Sequence, residues 1–202
     1  LGGREIKGLK IGVPKQFFDD EMDAEISRII KDAIKKYQDA GAVVVPMDIP
    51  LLEDALAIYY VVTPAEFSSN LQKFDGVRYG PKIDGEGYRN EAMRTRGLLF
   101  GDEVRRRILI GSFVLSAGYV DAFYLKAVAA REALSEQLRG AFKTVDVIMG
   151  PTSPVVAWPF GEKFNDPLTM YLADIYTCVA NLAGTPAISL PCGNVNGLPV
   201  GL

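Results

Sequence analysis

Residues 9–46, LKIGVPKQFFDDEMDAEISRIIKDAIKKYQDAGAVVVP, decide the fold class. The stretch opens with an apolar run closed by Pro14 and ends with Ala42–Pro46, and both runs are typical of buried strands. Between Asp23 and Ala40, apolar residues recur at the i, i+3, i+4, i+7 spacing of a helix with one buried face. A strand, a helix and a second strand in this order form a βαβ unit, which places two parallel strands in one sheet.

The rest of the chain continues this alternation of helices and strands. Helical spacing of apolar residues predicts helices over Leu51–Gln72, about Asp102–Leu115 and Val120–Phe142, the first interrupted or bent near Pro64. Short apolar runs predict strands over Val145–Met149 and Ala187–Leu190 and a hairpin return strand from Gly197. Glycine and charge predict an ordered surface loop over Lys73–Asn90. We therefore expect an α/β fold with a mixed, largely parallel central sheet covered by helices on both faces.

The composition excludes several classes of protein. With 49% apolar and 23% charged residues, the 202-residue chain resembles a soluble globular domain, and one domain over residues 1–202 is expected. It has neither an apolar run long enough to span a membrane nor a signal-peptide core, so we expect a cytoplasmic protein. A net charge of −3 argues against a broad nucleic-acid surface. The absence of histidine excludes Ser-His-Asp and Cys-His catalysis, and most zinc sites, within this chain.

The two ends of the sequence suggest a piece of a longer protein. The chain starts at Leu1 without a methionine, and it ends at Leu202 inside an apolar strand. An unpaired strand edge of this kind is something natural termini usually avoid. We therefore expect further chain on both sides.

Two charged residues are candidates for a ligand site. Asp174 stands in a predicted amphipathic helix within Asn165–Gly193, and Arg107 stands in a run of three arginines at the start of another helix. A ligand with an α-amino and an α-carboxylate group needs a guanidinium for the carboxylate and a carboxylate for the ammonium. The alternative is structural: Arg107 pairs with Glu103 one turn back, and Asp174 caps a neighbouring loop. Tyr59 either lines a pocket or is a half-buried core residue with a solvated hydroxyl.

The remaining nucleophiles have ordinary explanations. None of the serines considered lies in a Gly-x-Ser-x-Gly elbow or beside an obvious base, so they are interpreted as cap or turn residues: Ser68, Ser69, Ser153 and Ser189. Cys192 has no cationic neighbour to lower its pKa and is interpreted as a buried structural thiol. The turn that follows the Val145–Met149 strand lies where α/β proteins often place site residues, although ordinary tight turns have the same composition.

A family resemblance covers essentially the whole chain in consistent order. It is carried by LKIGVPKQFF, SSNLQKFDGVRYG, FGDEVRRRILIGSFVLSAGYVDAFYLKA, DVIMGPTSP, DPLTMYLADIYT and NLAGTPAISLPCGNVNGLPVGL. These segments resemble the C-terminal half of the A subunits of glutamyl-tRNA(Gln)/aspartyl-tRNA(Asn) amidotransferases, which belong to the amidase signature family. The resemblance implies the C-terminal part of one amidase domain, without the N-terminal catalytic signature segment and without the C-terminal end.

The resemblance also implies an activity and its partners. Such proteins hydrolyse glutamine with a Ser–cis-Ser–Lys triad, whose segment is expected upstream of Leu1, so we expect this chain alone to be inactive. The ammonia passes to a partner subunit, which uses ATP and Mg²⁺ to amidate Glu-tRNA(Gln) or Asp-tRNA(Asn). The implied partners are glutamine, B-type and C-type subunits, and tRNA mainly through the partner subunit, with no membrane and with no cofactor or metal in this chain.

The resemblance places residues that recognise the substrate inside this chain. It implies that Arg107 and Asp174 hold the α-carboxylate and α-ammonium of glutamine, and that Tyr59 contributes to the same site. Cys178 stands where the family commonly has proline. Two alternatives remain at this point: another amidase that acts on a different amide, and a scaffold or assembly module with no ligand of its own.

Overall fold

The computed structural model describes residues 5–18, 22–162 and 167–202. Its helices are α1 (Ala24–Asp39), α2 (Ala55–Asn70), α3 (Gly87–Leu99), α4 (Asp102–Val114), α5 (Leu125–Ala141), α6 (Pro167–Leu172) and α7 (Cys178–Ala183). Its strands are β1 (Lys10–Pro14), β2 (Val43–Met47), β3 (Val147–Ile148), β4 (Pro191–Val195) and β5 (Leu198–Gly201). The chain forms two compact units, one made of Leu1–Leu56 with Arg131–Leu202 and the other of Ala57–Ala130.

The first unit contains the βαβ element predicted from residues 9–46. Strands β2, β1 and β3 lie side by side in that order, and both pairings are parallel, with Ile11 opposite Val44 and Val147. Helix α1 begins at an N-cap, where the Asp23 carboxylate accepts hydrogen bonds from the backbone N–H groups of Glu25 and Ile26 at 2.8 and 3.1 Å. The predicted α/β architecture with a parallel sheet is thus confirmed.

One face of α1 forms the core of this unit. Ile26, Ile30 and Ile34, spaced by one helical turn, are buried together with Val195 and Val200 of the β4–β5 hairpin. Full burial of an aliphatic side chain of this size contributes about 1.5–3 kcal/mol. The stripe of isoleucines seen in the sequence is therefore what attaches the hairpin to the βαβ element.

The hairpin forms where the sequence predicts a return strand, but its first strand starts later than expected. An Asn196–Gly197 turn with φ of 50° and 80° joins β4 to β5, as a tight two-residue hairpin requires. The prediction of a strand over Ala187–Leu190 is wrong, because β4 begins at Pro191. Leu190 exchanges two backbone hydrogen bonds of 2.9 and 2.8 Å with Leu202, so pairing reaches only the last residue of the predicted strand.

The second unit is helical. Its helix α2 continues through Pro64, so the interruption that the sequence allowed there does not occur. Proline lacks the N–H that would reach back one turn, so this one hydrogen bond of the helix is missing, and Pro64 is fully buried. Gly111 of α4 lies against Pro64, so closely that a Cβ at position 111 would stand 1.9 Å from the Pro64 carbonyl oxygen. The absence of a side chain at Gly111 is therefore what lets these two helices approach.

The loop predicted over Lys73–Asn90 ends earlier, because Gly87–Asn90 already belong to α3. The ordered part depends on Asp75, whose side chain is only 4% exposed. Its carboxylate accepts hydrogen bonds from the backbone N–H groups of Val77 and Arg78, from Arg78 Nε and from the Tyr88 hydroxyl, all between 2.9 and 3.0 Å. The glycines and charges of this stretch concealed the helix from sequence reasoning, since glycine is a poor helix former.

Candidate functional site

The three consecutive arginines of α4 have different environments. Arg105 and Arg106 are exposed, and each pairs with an acidic residue three positions back, Asp102 and Glu103 respectively. These acids stand in the first turn of the helix, where the helix dipole favours negative charge. Arg107 is different, because its side chain is only 24% exposed.

The guanidinium of Arg107 interacts with two polar side chains of its own unit, Glu103 and Tyr59. Its Nε donates a hydrogen bond of 2.8 Å to Glu103 Oε1, one helical turn back, and its guanidinium also interacts with the Tyr59 hydroxyl of α2. Burial disfavours the charged form of Arg107, but the Glu103 carboxylate and the Tyr59 hydroxyl outweigh it and raise the pKa of the guanidinium above its usual value. The side chain is therefore a permanent, partly desolvated cation held in one place.

The ring of Tyr59 is held by packing as well. Tyr59 is half-buried and packs edge-to-face on Tyr60, with ring centroids 5.3 Å apart at an interplanar angle of 83°. A side chain fixed by a neighbouring ring presents its hydroxyl in a defined direction. The structure thus brings together two of the three predicted site residues, Tyr59 and Arg107, from helices distant in sequence.

Asp174 belongs to the other unit, and it does not stand in a helix. The predicted helix is broken into α6 and α7 by a turn over residues 173–177, and Asp174 lies inside this turn. The backbone N–H groups of residues 173–175 each donate to the residue three positions back, as at Asp174 N to Tyr171 O (3.0 Å), which is the tighter 3₁₀ pattern. The start of the predicted segment, residues 163–166, lies outside the described residues.

The side chain of Asp174 reaches solvent. Within residues 5–18, 22–162 and 167–202, its carboxylate makes no hydrogen bond or ion pair, whereas its backbone oxygen accepts from the Thr177 hydroxyl at 3.2 Å and the Cys178 N–H at 3.1 Å. The carboxylate also acts on Cys178: burial and, to a smaller extent, the negative charge of Asp174 raise the pKa of that thiol to about 12. An exposed carboxylate of this kind is available to a ligand cation.

Two cavities lie in the same unit as Asp174. One of about 440 Å³ is lined by Thr152, Ser189 and Trp158, and one of about 420 Å³ is lined by Trp158 and Tyr176. Ala173, the neighbour of Asp174, lines both. Asp174 is therefore next to open space large enough for a small molecule.

A hydroxyl pair at the first cavity was not foreseen from the sequence. The Thr152 and Ser189 hydroxyls lie 2.7 Å apart, and a Cβ at Gly201 would stand 2.7 Å from the first and 2.6 Å from the second. Thr152 also donates its backbone N–H to Gly201 O at 3.0 Å, which links the turn after β3 to the hairpin. The position of Thr152 after a strand was the available signal, but its partner comes from a distant segment.

Two of the other sequence candidates, Ser68 and Cys192, contact backbone carbonyl groups. The Ser68 hydroxyl donates to the carbonyl oxygen of Ala65 at 2.9 Å, and the Cys192 thiol contacts the carbonyl of Val200 at 3.4 Å. Cys192 is half-buried rather than buried, and Lys36 is a cationic neighbour that the sequence did not reveal, but burial outweighs it and raises the pKa of the thiol. Among the described residues, no group of three or more cysteine, aspartate and glutamate side chains is placed to hold a metal ion. In the same part of the chain, no helix is both long and apolar enough to cross a bilayer.

Comparison with known proteins places the chain in a family. Residues 3–202 match the family model described as Amidase, and the chain belongs to this family. The chain is similar to the A subunits of glutamyl-tRNA(Gln) amidotransferase from Methylococcus capsulatus (51% identity over 201 residues) and Alkalilimnicola ehrlichii (49% over 200 residues). These matches cover 99% and 98% of this chain but only 41% of each relative, so the chain spans about two-fifths of the relatives' length.

Solved structures agree with this assignment. The chain is similar to the A subunit of glutamyl-tRNA(Gln) amidotransferase from Thermotoga maritima, with 40% identity and a TM-score of 0.72 over 98% of this chain and 38% of that one. A protein described as an amidase matches with a TM-score of 0.74 over 98% of this chain and 41% of that one. Its identity of 23% shows the fold alone. The resemblance and the amidase signature fold predicted from the sequence are thereby confirmed.

Proposed function

We propose that this chain is part of the glutamine-hydrolysing A subunit of a tRNA-dependent amidotransferase, which releases ammonia from glutamine to amidate Glu-tRNA(Gln) or Asp-tRNA(Asn). The similarity to A subunits supports the assignment at the level of the whole polypeptide. The observation that supports a glutamine site in this chain is the environment of Arg107. Its guanidinium is a partly desolvated cation that is hydrogen-bonded to Glu103 and interacts with Tyr59. Such a group suits the α-carboxylate of an amino acid better than it suits a neutral amide.

Each predicted site residue has a defined task in this proposal. Arg107 grips the α-carboxylate of glutamine, and the Tyr59 hydroxyl adds a hydrogen bond beside it. Asp174, exposed and next to the two cavities, receives the α-ammonium. The side-chain amide of glutamine is then left for the nucleophile. Arg107 and Asp174 lie in different units of the fold, and their joint use of one substrate is part of the proposal.

The chemical step is assigned to residues outside this chain. Residues 1–202 are proposed to form the C-terminal part of an amidase domain, and the Ser–cis-Ser–Lys triad of the family is proposed to lie in the preceding part. No serine or lysine of this chain is assigned to that role. The 202-residue chain alone is accordingly expected to lack glutaminase activity, and measurable ammonia release from glutamine by this chain alone contradicts the assignment.

The partners follow from the same proposal. The protein works in the cytoplasm with B-type and C-type subunits, and tRNA binds mainly through the partner subunit. Activation of the tRNA-bound carboxylate by ATP and Mg²⁺ is the task of that partner. The net charge of −3 is consistent with a small contribution of this chain to tRNA binding, since phosphate contacts require clustered basic residues.

Calorimetric titration of glutamine into the complete amidotransferase tests the site. Loss of a charge-assisted hydrogen-bond pair costs about 1.5–3 kcal/mol, so Arg107→Ala is expected to weaken binding by about 10- to 100-fold. Arg105→Ala is the matched control, because Arg105 is exposed and pairs within its own helix. Unchanged affinity in Arg107→Ala refutes the glutamine site, and equal turnover of amides that lack the α-carboxylate indicates another amidase instead.

A further inference from the structure

The carboxylate of Glu103 joins two arginines of α4. Its Oε1 accepts the 2.8 Å hydrogen bond from Arg107 Nε, and its Oε2 accepts a hydrogen bond from Arg106 Nη1. The two oxygens of this carboxylate therefore bond different arginines. Each bond fixes the plane of the carboxylate, and this in turn restricts the guanidinium of Arg107.

The nitrogen of Arg107 that bonds to Glu103 determines which edge of the guanidinium can bind a ligand. A guanidinium offers two edges to a carboxylate: a side edge made of Nε and one Nη, and an end edge made of both Nη groups. The bond from Nε to Glu103 takes the side edge. With Nε engaged by Glu103, a bidentate ligand would approach the guanidinium through the end edge, and the Tyr59 hydroxyl also interacts with this guanidinium.

We propose that Glu103 is the positioning residue of the substrate site: it holds Arg107 by Nε so that the end edge of the guanidinium receives the α-carboxylate of the substrate. This inference rests on the proposed function and deepens it. The carboxylate of Glu103 does not touch the substrate. It acts through Arg107, on the side opposite to the ligand, and the guanidinium also interacts with the Tyr59 hydroxyl of α2.

A purely structural ion pair has different features. Arg139 and Glu136 on α5 form an ordinary surface ion pair, with side chains that are 56% and 67% exposed. The Arg107 side chain is 24% exposed, and it contacts a second helix through Tyr59. Surface pairs of helices contribute little to stability because water and salt screen them. The Glu103 side chain is 43% exposed, so its pair with Arg107 is partly screened and its main contribution is to orient the guanidinium. Misplacement of a binding group by about 1 Å is enough to lower activity strongly.

Steady-state glutaminase kinetics of the complete amidotransferase test this role. Glu103→Gln keeps the length of the side chain but removes its charge, and we expect the KM for glutamine to rise about tenfold with kcat changed less than about twofold. Glutaminamide, in which a neutral amide replaces the α-carboxylate, is expected to show the same KM with both proteins. Glu136→Gln is the matched control and is expected to change neither constant.

Two further measurements separate positioning from a general loss of structure. The melting temperature of Glu103→Gln is expected to stay within about 2 °C of the parent, because the Glu103 side chain is 43% exposed and water screens the pair. Glu103→Asp retains the charge on a shorter side chain and is expected to give an intermediate KM. A KM for glutamine equal to that of the parent overturns the inference, as does an equal rise for glutaminamide.

Arg107→Ala distinguishes the failure of this inference from the failure of the proposed function. If Arg107→Ala raises the KM for glutamine and Glu103→Gln does not, the substrate site stands and the positioning role is wrong. If neither variant changes the KM, the glutamine site itself is wrong. If both raise it for glutamine and spare glutaminamide, both statements hold.

Discussion

Gly111→Ala is expected to destabilise the helical unit by overpacking. The added Cβ would stand 1.9 Å from the carbonyl oxygen and 2.5 Å from the carbonyl carbon of Pro64, and 2.8 Å from Ser68 Cβ. An ordinary carbon–oxygen contact is about 3.3 Å or longer, so the backbones of α2 and α4 must separate by roughly 1.4 Å. The atoms that block the methyl group are backbone atoms, which cannot rotate away as a flexible side chain does.

The expected loss of stability is about 2 kcal/mol. Overpacking of this kind costs about 1–3 kcal/mol, and the contact with rigid backbone places Gly111 at the upper end. Alanine regains about 1 kcal/mol, because it is a better helix former than glycine. A change of this size corresponds to a melting temperature lower by about 4–8 °C.

Thermal unfolding followed by far-ultraviolet circular dichroism measures this change. Gly97→Ala is the matched control, since Gly97 lies in α3 of the same unit and a Cβ there meets nothing within 4 Å. This control is expected to gain about 0.5–1 kcal/mol from helix propensity alone. A Gly111→Ala protein that melts at or above the temperature of the parent refutes the close approach of α2 and α4.

Three further changes have defined outcomes. Hydrogen bonds from the backbone N–H groups of Arg78 and Val77 hold the pKa of Asp75 well below its usual range. The stability difference between the parent and Asp75→Asn should therefore be full above pH about 4 and shrink as the pH falls, in denaturant titrations across that range. Asp23→Ala removes the N-cap of α1 and should cost about 1 kcal/mol in urea unfolding. Cys178, buried and with a thiol pKa of about 12, should react with a disulfide reagent only after unfolding, and rapid labelling of the native protein argues against its burial.

Local sequence features predicted a large part of the fold because they express local physics. The isoleucine stripe of α1 has helical spacing, and the Asn196–Gly197 turn has the backbone freedom that a hairpin needs. The α/β class and the parallel pairing of β1 with β2 followed from the order of these elements. Local signals misled where glycines stand inside a helix, as in α3, and where Pro64 allowed an interruption that does not occur.

The sequence by itself determined the βαβ core, the hairpin, the absence of histidine chemistry and the choice of Arg107, Asp174 and Tyr59 as candidates. Helical spacing alone also allowed the pairing of Arg107 with Glu103, because residues four apart share a helix face. Only the tertiary structure decided that Tyr59 reaches the same guanidinium and that Asp174 lies in an exposed turn beside two cavities. Such contacts depend on how separate helices pack, and packing is set by shape complementarity between segments that are distant in sequence.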